Sequence, residues 1–182
     1  MGAILTDPGL VHEDYEDAGP IERCTLAAAR YRRRRAVMSS RGAARVLRAI
    51  AHARPQSKRY DERDSFLELS EPRALMIVEG SWVDAVRLFT PDGGGSRPSN
   101  PETIAFLDHW RERFGAIPLF ADGARLELEL SRPPRTLRDL RAAARDAFLL
   151  SQGVREGIGL ERPGRLLRRL ASDRWVIWWY GT

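Results

Sequence analysis

The stretch AIPLFADGARLELELS, residues 116–131, decides what kind of fold this chain adopts. Asp122-Gly123 stands between two apolar runs, and Asp-Gly is a favoured hairpin turn. Beyond it, Leu126, Leu128 and Leu130 alternate with Glu127 and Glu129. A period of two puts the leucines on one face of a strand and the glutamates on the other. The pattern predicts two strands of a half-buried sheet with one face in water. On that reading the two glutamates are the solvent side, not a general acid and base.

Helical signals flank the hairpin. Upstream, in PETIAFLDHWRERFG (101–115), Ile104, Leu107, Trp110 or Arg111, and Phe114 follow helical spacing. Asn100 reads as the N-cap, Pro101 as the first helical position and Gly115 as the C-terminal stop. Downstream, SRPPRT breaks the strand, and Thr136 with Asp139 resembles a capping box with Asp in place of Glu or Gln. Leu137, Leu140, Ala144, Ala147 and Phe148 form the next buried stripe, with Arg138, Arg141 and Arg145 outside it. SQGVREGIG interrupts that helix, and a further one, about residues 162–171, presents Leu166, Leu167 and Leu170.

The chain closes with WVIWWYGT (175–182). Trp175, Ile177 and Trp179 share one strand face, and Val176, Trp178 and Tyr180 the other. Two apolar faces predict an inner strand covered on both sides, not an edge. An exposed platform for stacking on bases would carry interleaved basic residues, and only Arg174 is near.

Before the first of these helices, SFLELS (65–70) and ALMIVEG (74–80) read as short strands, and WVDAVRLFT (82–90) as a third. PDGGGSRPSNP (91–101) reads as a connector, and no Gly-Lys-Ser/Thr follows its glycines to make a phosphate loop. The fold class is α+β: a small mixed or antiparallel sheet with helices packed on one face, preceded by a basic helical N-terminal extension. The expected division is residues 1–60 as an acidic, then Arg-rich, partly helical extension, and residues 61–182 as the α+β domain.

The order of signatures is itself informative. LDHWRERFGA, a strand, LELELSRPP, an Ala-rich helix and a terminal WVIWWY together resemble the bacterial "domain of unknown function 4253" family over about residues 74–182. The resemblance maps the family signature onto Trp110, Arg113, Phe114, Gly115, Pro133, Pro134, Phe148, Trp175, Trp178 and Trp179, and implies structural roles for them. Leu149, Leu150 and Ser151 stand where the family tends to carry Cys, Pro and Asp, and Tyr180 where it tends to carry Asp. The family has no assigned activity, so the resemblance implies a fold and not a reaction.

Charge is unevenly spread. Asp7, Glu13, Asp14, Glu16 and Asp17 make the first 20 residues acidic. From residue 21 to residue 60 only Glu22 opposes the bases, and beyond that segment the two signs nearly balance within a chain of net charge +5. Every basic residue but Lys58 is Arg, which points first to GC-rich coding. In YRRRRAVMSSRGAARVLRAIAHARP, Arg41, Arg45, Arg48 and His52 fall on one helical face, while Val46, Leu47 and Ile50 make a narrower apolar stripe. Arg32, Arg33, Arg34, Arg35, Arg41, Arg45 and Arg48 are therefore the candidate anion- or nucleic-acid-binding residues. The competing reading is a solvated face of a helix docked on the domain. Met38 raises the further expectation that some relatives begin there and that residues 1–37 are dispensable.

Nothing in the sequence supports a named reaction. His12, His52 and His109 lack metal-ligand spacing, and Cys24 has no neighbouring His. Neither a nucleophile elbow nor a dinucleotide fingerprint is present. The expectation is no cofactor, no metal and no catalytic residue. One cysteine, no secretory n- and h-regions and no long apolar run point to the cytoplasm and to no membrane span. The leading functional expectation is a non-catalytic protein-interaction domain of immunity or regulatory type, with another protein as partner. Nucleic-acid or anionic-surface binding through residues 21–60, and an enzyme of unknown reaction, are the alternatives.

Overall fold

The computed structural model describes residues 4–6, 24–38, 42–55, 76–78, 98–121, 125–151, 154 and 163–178. Their elements in chain order are β1 (Ile4–Thr6), α1 (Leu26–Val37), α2 (Ala43–His52), β2 (Met76–Val78), α3 (Asn100–Phe114), β3 (Ala116–Ala121), β4 (Arg125–Leu130), α4 (Leu137–Leu150), α5 (Pro163–Arg169) and β5 (Arg174–Trp178). The strands form one mixed sheet in the order β2-β1-β3-β4-β5. β1 runs parallel to β3, and the other neighbours are antiparallel. The α+β class and the mixed sheet are as the sequence predicts. Residues 65–70, 82–90 and 91–97, and the turn at Asp122-Gly123, lie outside the described residues.

The β3–β4 hairpin sits at the centre, and its leucine alternation works as expected on the inner side. Leu126, Leu128 and Leu130 are buried, with Trp175 and Ile177 beside them on β5. Glu129 is exposed, but Glu127 is buried at 3% exposure, so only one of the two glutamates faces water. Arg174 on β5 lies 3.6 Å from the Glu127 carboxylate, the kind of partner that makes a buried charge tolerable.

β5 also departs from expectation. Among the described residues it pairs with β4 alone and ends the strand order, where the sequence predicts an inner strand. Apolar side chains report what covers a strand's faces, whereas lateral pairing uses backbone groups that carry no side-chain signature. Trp175 and Ile177 are buried, Trp175 against Trp110 and Phe114 of the helical layer, and Val176 is half-buried. Trp179 and Tyr180 lie outside the described residues.

Cap chemistry sets the helix limits. α3 starts one residue earlier than its Pro-Glu signal implies. Ser99, not Asn100, is the N-cap, and a full capping box joins it to Glu102, whose carboxylate accepts from the Ser99 N–H at 3.0 Å. At the other end Gly115 is left-handed with φ 64°, as a helix stop requires. A side chain there would be strained and would collide with Ser131 Oγ, so the turn from α3 into β3 is held to glycine. Thr136 caps α4 by accepting from the Asp139 N–H. α2 stops at His52, with extended Ala53 ahead of Pro55.

The helices share a single apolar core with the sheet. It contains Ile104, Phe106, Trp110 and Phe114 of α3, Leu140, Ala144, Ala147 and Phe148 of α4, and Leu166 and Leu167 of α5. Ala29 and Val37 of α1, and Ala43, Val46 and Ile50 of α2, belong to the same core.

Candidate functional site

Three of the signature residues, Trp110, Phe114 and Trp175, form one aromatic knot. Trp110 meets Trp175 edge-on, centroids 5.3 Å apart, and Phe114 meets Trp175 at 5.6 Å. Such T-shaped contacts place a ring edge on a ring face, the arrangement the aromatic quadrupole favours. Trp175 Nε1 donates to the Leu170 carbonyl, which ties β5 to the end of α5. Phe148 is fully buried, Pro134 is buried and Pro133 half-buried. Arg113 leaves α3 to pair with Asp139 in the first turn of α4. That bond holds the Asp139 carboxyl below its ordinary range, with the Thr136 hydroxyl adding to the effect. Each of these contacts fixes an element against a neighbour. For Trp178 only the backbone position is described, and Trp179 lies outside the described residues.

Charged side chains converge instead on the seam where α1 meets α3 and α4. Asp146, buried on α4, accepts two bonds from Arg30, at 2.9 Å from Nε and 2.6 Å from Nη2. This is the fork geometry in which guanidinium and carboxylate fit best. His109 of α3 approaches the same carboxylate at 3.9 Å, beyond hydrogen-bond reach. Burial lowers the His109 pKa, which the Asp146 charge opposes and the nearby Arg30 and Arg113 reinforce. Three residues along α1, Arg33 is 2% exposed, donates to the Leu149 carbonyl at 3.2 Å and lies 4.0 Å from Glu102. Desolvation lowers its pKa, and Glu102 counters part of that.

The seven candidate arginines therefore separate. Arg33 is an internal anchor and takes no part in an outer basic face. Arg32, Arg34, Arg35, Arg45 and Arg48 are exposed, and Arg41 lies outside the described residues. Arg48 folds back to the Ala44 carbonyl. Tyr31, 67% exposed, and Met38, 38% exposed, stand on the same outer face of α1 as Arg34 and Arg35, at i, i+3, i+4 and i+7. The sequence could have singled out Arg33 only through helical phase, because it follows Ala29 and precedes Val37 by one turn each. Arg30 and Asp146, the best-formed ion pair of the seam, were missed because 116 residues separate them.

Among the described residues no cluster of His, Cys, Asp and Glu could hold a metal ion, and no helix is long and apolar enough to cross a membrane. The Cys24 thiol donates to the Pro101 carbonyl. In the Asp146–His109–Arg30 group the carboxylate is taken by Arg30.

The family model for "Domain of unknown function (DUF4253)" matches residues 73–180, and the chain belongs to that family. No curated protein and no solved structure matches the chain.

Proposed function

We propose that this member of the family is a non-catalytic interaction module, of regulatory or immunity type, that docks an acidic partner protein on the outer face of α1. The observation that carries this reading is the side-chain content of that face: Tyr31, Arg34, Arg35 and Met38 together in solvent, with Arg32 beside them. Tyr, Met and Arg are the residue types enriched where proteins bury surface against each other, and Lys is depleted there. No acidic residue lies between Glu22 and Asp61 to neutralise the arginines from within the segment. Complementary acidic groups on a partner would steer association and set its orientation. A cytoplasmic setting suits a chain with a single cysteine.

The test is site-specific photo-crosslinking in the native host from a probe at Tyr31, with a second probe at exposed Ile117 as control. The expected result is one acidic protein adduct at position 31, absent at 117. Binding of that protein, once purified, should weaken with salt and be lost in the Arg32→Ala/Arg34→Ala/Arg35→Ala variant, which keeps the internal Arg33. Crosslinks to nucleic acid in place of protein would replace this reading with the nucleic-acid one. Identical adducts at both positions, or none, would end it.

A further inference from the structure

Two basic side chains address one oxygen where α1 meets α4. Arg30 Nη2 lies 2.6 Å from Asp146 Oδ2, and His109 Nε2 lies 3.9 Å from the same atom. Only Arg30 is bonded there, and its Nε holds Oδ1 as well, at 2.9 Å. The carboxylate is buried, whereas the side chains of Arg30 and His109 are both partly exposed. Either of the two can therefore move into water without opening the core. α1 also has attachments that do not involve Asp146. Arg33 donates to the Leu149 carbonyl, the Cys24 thiol donates to the Pro101 carbonyl, and Ala29 and Val37 belong to the core. Arg30 can thus leave Asp146 while α1 stays docked.

We infer that His109 is a proton-operated switch on this tie: once protonated, it closes on Asp146 Oδ2 and displaces Arg30 to the surface of α1. Neutral, the imidazole is too far away to bond, and in one tautomer Nε2 carries no hydrogen at all. Protonated, both ring nitrogens are donors and the ring brings a full charge to the carboxylate. Bond distance is about 1 Å nearer than the ring now stands, a small swing for a partly exposed side chain. Arg30 then faces a like charge across the oxygen it held, and regains hydration by leaving. Burial does most to hold the His109 pKa down, against the pull of Asp146, and Arg30 adds to the depression. Coupling between two sites is reciprocal, so a proton that Arg30 opposes in turn opposes Arg30 at its post. Two further groups bear on the imidazole, both from α3 itself. Arg113, held by Asp139, opposes the proton, and Glu112 favours it. The exchange therefore falls below the ordinary histidine value of 6.5. Its consequence is regulatory. Arg30 stands one turn before Arg34, so its release adds a cation beside the face proposed to dock an acidic partner. That consequence rests on the docking reading, whereas the exchange itself does not.

NMR titration of the nitrogen-15-labelled full chain, from about pH 7.5 to about pH 5, spans the ordinary histidine range and tests the exchange. It needs no partner, so a failed exchange and a failed docking reading are told apart. The Arg30 Nε–H resonance should start at a position set by its bond to Asp146. Through the midpoint of the His109 imidazole titration it should move to the position of exposed Arg34. The Arg33 Nε–H, bonded to the Leu149 carbonyl, should stay in place. In His109→Gln the Arg30 resonance should hold its starting position across the range. An Arg30 resonance that is unmoved when His109 is fully protonated overturns the inference, as does one that moves equally in His109→Gln. The wild-type titration decides alone should the variant not fold.

Discussion

The Arg-rich helix α1 and the Trp-rich strand β5 are each other's inverse. α1 has the composition of a surface arm, yet Ala29, Arg33 and Val37 are in the interior and Arg30 is bolted to a buried carboxylate. β5 has the composition of an inner strand, yet among the described residues it stands at the edge of the sheet. In both, composition averages over directions that the backbone separates. A helix turns by 100° per residue, so one arginine of a run of four points inward whatever its neighbours do. A strand has two faces and two edges, and side chains speak only for the faces. Charge density and hydrophobicity identify an element; phase and pairing decide its place.

The largest effect should come from removing α1. A chain started at Met38 loses Ala29, Val37, Arg30 and Arg33 together, and leaves Asp146 and Glu102 buried without the cations that face them. Taking one partner from a buried ion pair costs roughly 3–5 kcal/mol. Two such losses plus the apolar contacts approach the roughly 5–15 kcal/mol that holds a domain together. We expect no cooperative thermal transition from residues 38–182, against a sharp one from the full chain, by circular dichroism. A truncated protein that melts within a few degrees of the full chain would show α1 to be an appendage after all.

How far this was legible follows from the range of the interactions. Local signals read through well: the leucine alternation of β4, the glycine stop at Gly115, the Thr136 cap and the Leu166–Leu167 pair of α5 each depend on neighbours within a turn or two. The Ser99 cap was displaced by one residue because Asn, Ser and Pro all bear plausible start chemistry, and the Glu102 side chain makes the choice. Glu127 departs from the expected wet face because alternation predicts a side and not whether that side is covered. The Arg30–Asp146 pair joins two helices far apart in sequence, and no periodicity in either announces it. The edge position of β5 was invisible for the same reason: pairing partners are a property of topology. At the candidate site, the sequence marked the right helix but included Arg33, whose role is set by Leu149 and Glu102.

Single substitutions sharpen the same contrast at intermediate size. Trp175→Ala should cost about 4 kcal/mol, since truncating a buried Trp empties a large volume, and Arg33→Ala about 3 kcal/mol through the buried partners it strands. Arg34→Ala, one residue away on the outer face, should change stability by less than about 0.5 kcal/mol. Urea denaturation of the three variants measures all of these. Equal effects for Arg33 and Arg34 would mean that the helical phase of α1 has no energetic consequence.

The smallest effect concerns His109, where the charged seam meets solvent. Burial lowers its folded-state pKa, Asp146 pulls the other way, and Arg30 and Arg113 lower it further. A depressed value means that the unfolded chain takes the proton first as pH falls. The corresponding stability is complete above about pH 6.5, the ordinary histidine value, and is lost as pH drops through the lower folded value. His109→Gln should remove that decline and leave the separate loss below the ordinary carboxylate range, where Asp139 releases Arg113. Arg30→Ala should act in the opposite sense on the imidazole. It takes away a cation that opposes protonation and leaves Asp146 to attract the proton, so the His109 pKa rises by NMR titration and the decline shrinks. A His109 titration that ignores Arg30 would separate the imidazole from the seam and leave Arg30–Asp146 as a purely mechanical tie between α1 and α4.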